Sequence, residues 1–391
     1  VVIITYFRNY INYHEKHFGD FVSDIFSTAY LNRKVMVTGH TGFKGSWLCS
    51  WLHMMGAEVM GVSLSPDTEP NHFDLLSLPV KSAIIDIRDA KSVRDTFSSF
   101  KPEIVFHLAA QPLVRKSYVD PALTYETNVI GTLHVYEACR QTPEVKAIVS
   151  ITTDKVYENR EWPWGYRESD ALGGHDPYSS SKACAEILSE SYRKSFFEAD
   201  TSANKILLST VRAGNVIGGG DWSEDRLIPD SVKSAAKGET TLIRNPHSIR
   251  PWQHVLEPLY AYLLIGQKLL ENDVSAATSW NIGPLHERDW TVGEIMNECS
   301  EIWSSITWTS ENRDAHPVLH EAGTLKLDCS KAVHYLDWAP VWDTRKALEK
   351  TIHWYKNFYE AGKVSTFEDI EEYIRNMRQE SPVPLKLVSN A

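Results

Sequence analysis

The chain of 391 residues carries 40 Lys and Arg against 51 Asp and Glu, a net charge of −11, with 42% hydrophobic and 23% charged residues. These values describe a globular protein long enough for a sizeable core, in one large domain or two unequal ones. The acidic balance argues against a broad nucleic-acid footprint, and no run of about 18 apolar residues marks a membrane span.

Five cysteines (Cys49, Cys139, Cys184, Cys299 and Cys329) form no C-x-x-C pair, the pattern of free thiols in a reducing cytoplasm. Residues 1–33 open VVIITYFRNYINYHEKHF, with charges too early for a signal peptide, and read as an extension of unknown role. From Lys34 onward, β-rich runs alternate with helical patterns. Strands are predicted at Lys34–Thr38, Glu58–Leu64, Ala83–Asp86, Ile104–Leu108, Ala147–Thr152 and Ile206–Val211. Helices are predicted at Phe43–Met55, ending before Gly56, and at Ala90–Phe100, Ala122–Arg140 and Tyr178–Phe197. This βαβα order predicts an α/β fold, a doubly wound parallel sheet whose ligands sit beyond the carboxyl ends of the strands.

After Gly214 the rhythm changes. A loop at Gly218-Gly219-Gly220-Asp221 precedes helices at Ile228–Lys237, Glu257–Leu270, Thr291–Trp303 and Lys346–Glu360, with short strands at Thr241–Arg244 and Trp280–Ile282. This predicts a smaller, mostly helical substrate-binding region over 215–365. Residues 366–391 read as a C-terminal helix and a loose tail holding Pro382 and Pro384.

The first strand runs into Thr38-Gly39-His40-Thr41-Gly42-Phe43-Lys44-Gly45. Glycines at every third position permit a tight turn, close approach of backbone N–H groups to a pyrophosphate, and tight helix–strand packing. Standing between a strand and a helix, the loop predicts dinucleotide binding, with Thr41, Phe43 and Lys44 in the same turn. Asp86 and Ile87, after the third strand, suit the adenine. Leu108, Ala109, Ala110 and Gln111 leave room for a ribose or pyrophosphate. The second strand ends Val62-Ser63-Leu64-Ser65, with no acid for the ribose diol, so Ser63 or backbone takes that place. These residues do not decide between NAD and NADP.

The fifth strand leads into Thr152-Thr153-Asp154-Lys155, and the following helix opens Tyr178-Ser179-Ser180-Ser181-Lys182. Tyr178 and Lys182, at i and i+4, share one helical face. A phenol of pKa about 10 must fall by roughly 3 units to act as a base near neutrality. A neighbouring ammonium and a positively charged nicotinamide both favour that fall.

Together Gly39, Gly42, Gly45 and Tyr178-x-x-x-Lys182 resemble the extended short-chain dehydrogenase/reductases, the NAD-dependent epimerase/dehydratase family. Within it, the closer pattern is that of the CDP-D-glucose 4,6-dehydratases. GHTGFKGSWL, HLAAQPLVRKSY, TTDKVYEN, PYSSSKACAE, RAGNVIGGGDW, DRLIPD and RPWQHVLEPL carry the resemblance, over roughly 33–362. It implies a Rossmann domain over 34–214, to which later segments can return, and NAD as cofactor. The implied substrate is CDP-D-glucose and the product CDP-4-dehydro-6-deoxy-D-glucose plus water. The route is oxidation at C4, elimination across C5 and C6, and return of hydride from NADH to C6. Tyr178 then removes the 4-hydroxyl proton, Lys182 holds the phenolate and the cofactor ribose, and Thr153 bonds the 4-hydroxyl.

Elimination needs an acid for the 6-hydroxyl and a base at C5. Asp154 suits the first. Lys155 stands where related enzymes carry Glu; it is a candidate base, or it orients Asp154 or stabilises an enolate. Asn215 resembles the family's diphosphate-side contact, and Arg226 and Arg250 suit forked bonds to the diphosphate. Arg115, Ser117 and Tyr118 are expected to face sugar or cofactor. His316 and His320 are interrupted by Pro317 and lack a third ligand, so no metal is expected. The resemblance also implies a homodimer or homotetramer, no nucleic-acid or membrane partner, and a place in making dideoxyhexoses for a bacterial surface polysaccharide. Another nucleotide-sugar dehydratase, a sugar-nucleotide 4-epimerase or a non-catalytic dinucleotide sensor are the competing readings.

Overall fold

The computed structural model describes residues 26, 28–197, 205–285, 288–310 and 325–380. His316 and His320 lie outside them. Strands β1 (Lys34–Thr38), β2 (Glu58–Ser63), β3 (Lys81–Ile84), β4 (Ile104–His107), β5 (Ala147–Ile151) and β6 (Leu207–Ala213) alternate with helices. The helices are α1 (Phe43–Met54), α2 (His72–Leu76), α3 (Ala90–Phe100), α4 (Val114–Val119), α5 (Pro121–Tyr125), α6 (Thr132–Arg140) and α7 (Pro177–Tyr192). Beyond them follow β7 (Asn215–Ile217), α8 (Leu227–Lys237), β8 (Thr241–Ile243), β9 (Trp252–His254), α9 (Leu256–Leu270) and β10 (Ser279–Ile282). The chain continues through α10 (Val292–Ile302), β11 (Trp308–Ser310), α11 (Ser330–Leu336), α12 (Thr344–Ala361) and α13 (Thr366–Glu380).

Seven strands form one parallel sheet in the order β10-β6-β5-β4-β1-β2-β3. Chain direction across the sheet reverses between β1 and β4, which opens a crevice at their carboxyl ends. Side chains alternate between two buried faces, as parallel strands covered on both sides require. Val35, Val37, Phe106 and Val149 join Trp47, Trp51 and Leu259 on one face. Met36, Val105 and Ile148 join Val93, Phe97 and Tyr136 on the other.

Several predicted elements are bounded differently, and the sixth strand is Leu207–Ala213 rather than Ile206–Val211. The third strand is Lys81–Ile84 rather than Ala83–Asp86. The helix expected over Ala122–Arg140 is interrupted by a π turn at Glu126–Gly131. The extra residue turns Asn128 inward, where its Oδ1 accepts from Gln111 N (2.8 Å) and its Nδ2 donates to Gln111 O (3.1 Å) and Ser181 Oγ (2.9 Å). The helix predicted to Phe197 ends its α-helical part at Tyr192 and closes in a π turn over Arg193–Phe197. The strand expected at Thr241–Arg244 stops at Ile243.

Segments after Gly214 complete the sheet and its cover. β10 is the edge strand beside β6, and α9 packs against β4, β5 and β6. The near-continuous apolar run of α9, LEPLYAYLLIGQKLL, explains this, because a helix buried in that way needs a sheet to cover. Residues before Lys34 join the core too: Phe26 and Tyr30 are buried, and the Tyr30 hydroxyl donates to Leu263 O at 2.5 Å. The glycines after β7 admit aromatic rings. A Cβ on Gly219 would stand 2.0 Å from the Trp354 ring of α12. No helix among the described residues is long and apolar enough to cross a membrane.

Candidate active site

A cavity of about 870 Å³ opens over the carboxyl ends of the strands, between the sheet and the β7–α8–β8 segment. Its floor is the glycine loop. Gly39 has φ +77°, and a Cβ there would meet Ala109 N at 2.8 Å, so the turn and the small residue after β4 are matched. A Cβ on Gly45 would stand 2.1 Å from Gly39 O, so the third glycine lets α1 dock against the loop. Gly42 caps α1 in extended geometry with no side chain over the helix end, leaving a cradle of N–H groups for a diphosphate.

Thr41, Phe43, Lys44, Ser63, Asp86, Ile87, Leu108, Ala109, Ala110 and Gln111 line the same cavity. Thr41 Oγ1 lies 2.8 Å from Ser63 Oγ and donates to Leu64 O at 2.9 Å, fixing the loop to the end of β2. Asp86 is paired with Arg88 at 2.7 Å, which holds its carboxyl below the usual range. Asp67, beyond the Ser63–Ser65 segment, also lines the cavity. It escapes a reading that looks for an acid only at the strand end.

Opposite the loop stand Thr153, Asp154 and Lys155, on the short 3-10 turn that follows β5. Thr153 Oγ1 donates to Asp154 Oδ1 at 3.0 Å and caps the turn, receiving Lys155 N at 3.4 Å. Asp154 is 5% exposed, and burial raises its carboxyl above the usual range, against the pull of Lys155, Thr153, Lys44 and Arg250. A raised carboxyl in a cavity is suited to giving up a proton.

Tyr178 and Lys182 face this turn from α7, whose first turn is capped by Asp176 accepting from Ser179 N at 2.9 Å. The Lys182 ammonium donates to Ile151 O at 3.1 Å. Burial lowers Lys182 to about 8, with Glu186 opposing. The Tyr178 phenol departs from the expected fall: burial pushes it up to about 12, while a Thr153 hydrogen bond and Arg226 pull it down. The protein alone therefore keeps this group a phenol. A further positive charge must reach it before it can act as a base near neutrality. Lys44 is likewise lowered to about 8 by burial and Arg226.

Asn215, Arg226 and Arg250 line the same cavity. Arg226 is held by Asp221 at 2.7 Å, a partner readable only as a loop residue in the GGGD run. Arg115 lines the mouth in an exposed ion pair with Asp225, 2.8 Å. Two predicted residues lie elsewhere. Ser117 is buried and does not line the cavity; its hydroxyl donates to Val114 O (2.6 Å) and accepts from Tyr178 N (3.1 Å), so it seats the start of α7. Tyr118, 37% exposed, is also absent from the lining, because α4 turns it outward. Among the described residues no three His, Cys, Asp or Glu side chains gather as a metal site.

Residues 36–351 match the family model described as GDP-mannose 4,6 dehydratase. The chain is 49% identical over 328 residues to the CDP-glucose 4,6-dehydratase of Salmonella typhimurium, covering 83% of this chain and 90% of that protein. It is 24% identical over 354 residues to the dTDP-glucose 4,6-dehydratase of the same organism, covering 82% and 92%. The fold is that of the Thermus thermophilus UDP-glucose 4-epimerase in complex with NAD, at TM-score 0.70, 24% identity and 83% and 99% coverage. It is also that of Streptomyces venezuelae DesIV, a dTDP-glucose 4,6-dehydratase with NAD bound, at TM-score 0.69, 22% identity and 83% and 97% coverage. With its glycine cradle, its Tyr–Lys helix and these likenesses, the chain belongs to the GDP-mannose 4,6 dehydratase family.

Proposed function

We propose that the protein is an NAD-dependent hydro-lyase that converts CDP-D-glucose to CDP-4-dehydro-6-deoxy-D-glucose and water. The observation that carries this reading is a buried, raised Asp154 in the same cavity as Tyr178. An epimerase has no water to expel and no need of that acid. The likeness to the Salmonella CDP-glucose enzyme supports the CDP-sugar over other nucleotides.

Gly39, Gly42 and Gly45, with Thr41 and Ser63 beside them, would hold NAD, which when bound would supply a positive nicotinamide able to accept a hydride from C4 and return it to C6. Thr153 orients the sugar 4-hydroxyl and Tyr178 accepts its proton. Lys182 holds a compensating charge. Asp154 delivers a proton to the departing 6-hydroxyl, and Lys155 serves the C5 side. Arg226, Arg250 and Asn215 hold the diphosphate. Residues 34–214 carry most of the cofactor contacts and 215–365 most of the sugar-nucleotide contacts.

We place the protein in the cytoplasm, since its cysteines are free thiols, four of them buried. Exposed apolar side chains at Tyr125, Ile130 and Ile187, on the neighbouring π-interrupted α5–α6 segment and α7, support a homodimer built on those helices. Incubation with CDP-glucose and NAD is expected to give a product one water lighter, with no net NADH. A product of unchanged mass would replace this reading with epimerisation.

A further inference from the structure

Behind the reacting groups lies a buried ion pair that the chemistry above does not use. Glu186 and Arg212 meet at 2.7 Å with side chains 1% and 3% exposed. Every oxygen of the carboxylate is engaged. Oε1 accepts from Thr152 Oγ1 at 2.5 Å, and Oε2 accepts from Thr210 Oγ1 at 2.8 Å as well as from Arg212. Arg212 in turn donates to the Tyr157 hydroxyl at 2.8 Å, and Tyr157 donates to Asn281 Oδ1 at 2.6 Å. The cluster therefore ties α7 to β5, β6 and β10, just behind the turn that carries Asp154.

Its place on α7 is the informative part. Tyr178, Lys182 and Glu186 stand at i, i+4 and i+8, on one face of the helix. All three reach the end of β5 and its turn. The Tyr178 phenol is lowered by the nearby Thr153 hydroxyl, Lys182 donates to Ile151 O, and Glu186 takes the Thr152 hydroxyl. Three successive turns of one helix thus face the end of β5 and its turn, and two of them hold it by hydrogen bonds.

We propose that Glu186, locked by Arg212, is a positioning residue for the dehydration: it fixes the Thr153–Asp154 turn through Thr152 and supplies the counter-charge that keeps Lys182 an ammonium. Around Lys182, Tyr178 and Glu186 face it from its own helix, Lys44 from α1 and His107 from β4. His107 is held neutral by burial at about 3, and Lys44 is a cation that opposes the charge on Lys182. Glu186 is the anion of the set and works against the burial that lowers Lys182. An ammonium at Lys182, one helical turn from Tyr178, favours the phenolate, so activity is expected to fall as pH rises through the lysine's titration.

The proposal rests on the dehydratase reading, and the experiment separates the two. Glu186→Gln, Glu186→Gln/Arg212→Met and Thr152→Val are compared with wild type in CDP-glucose turnover and in NAD affinity, each as a function of pH. The double variant removes both charges, which a buried site tolerates far better than the loss of one. In it, the alkaline fall of kcat and of NAD affinity moves down by about one pH unit, a tenfold loss of kcat on that limb. Melting stays near wild type. Thr152→Val lowers kcat with the alkaline limb unmoved. If the double variant shows wild-type kcat and wild-type limb, the pair is only structural and the proposal is overturned. Unchanged kcat in Thr152→Val overturns the grip on the turn, even should the Glu186 variants fail to fold. If wild type does not dehydrate CDP-glucose, the functional reading fails, and the pH profile of NAD affinity still decides the role of Glu186.

Discussion

Gly45→Ala tests the cofactor cradle at its tightest point. The new Cβ would stand 2.1 Å from Gly39 O and 2.8 Å from both Gly39 C and His40 Cα. These are backbone atoms, with no flexible side chain to yield. A carbon–oxygen contact settles at about 3.3 Å, so α1 and the loop must part by about 1 Å. Overpacking of that kind costs about 1–3 kcal/mol. Without cofactor the protein is expected to melt roughly 2–10 °C lower. The displaced N–H groups then meet the pyrophosphate poorly, and NAD binding weakens about 10–100-fold at 1.4 kcal/mol per decade. Gly42→Ala is the matched control. Its Cβ would lie 3.3 Å from Gly39 O, at an ordinary φ of −77°, so the fold accepts it while the methyl intrudes on the cradle. Differential scanning calorimetry and NAD titration by tryptophan fluorescence measure both quantities. A Gly45→Ala protein that melts and binds NAD like wild type would refute the argument, as would a Gly42→Ala protein more unstable than Gly45→Ala.

Tyr178→Phe is expected to abolish turnover with NAD binding largely kept; steady-state rates near wild type would remove the phenol from the reaction. Asp154→Asn should still oxidise C4, seen as absorbance of reduced cofactor, yet stall before water is lost; normal product by mass would reassign the acid. Asp369, on α13 beside Lys350 at 3.2 Å, is raised by burial to about 7. Its folded pKa exceeds the unfolded one, so its stabilising protonated form is lost as pH rises. The melting advantage of Asp369→Asn over wild type should therefore grow between about pH 4 and 7 and then level off. A constant difference across that range would contradict it.

The sheet was legible because its strands are short apolar runs set between helices, and the glycine loop because three close approaches demand three glycines. The Tyr178–Lys182 face followed from helical spacing alone. What escaped depends on partners distant in sequence. Ser117 reads as a site residue from its place after β4, yet its hydroxyl is taken by Tyr178 N, 61 residues on. Asp221 and Arg226 become a unit only once the loop before α8 folds back. The π turn at Glu126 has no signature of period 3.6, since Asn128 is drawn inward by Gln111 and Ser181 from other elements. The phenol's raised pKa is likewise a property of the closed cavity, which no spacing rule encodes.

Because β10 is the neighbour of β6 and α9 roofs the middle strands, the parallel sheet is finished by chain made after the β7–α8–β8 segment. A fragment ending at Gly214 would carry every glycine of the cradle and both members of the Tyr–Lys pair. It would also present β6 as a bare hydrogen-bonding edge beside an uncovered apolar surface, a template for self-association. Synthesis on the ribosome must therefore shield that edge until about residue 282 has emerged, and division of this enzyme into separately expressed lobes should yield aggregates.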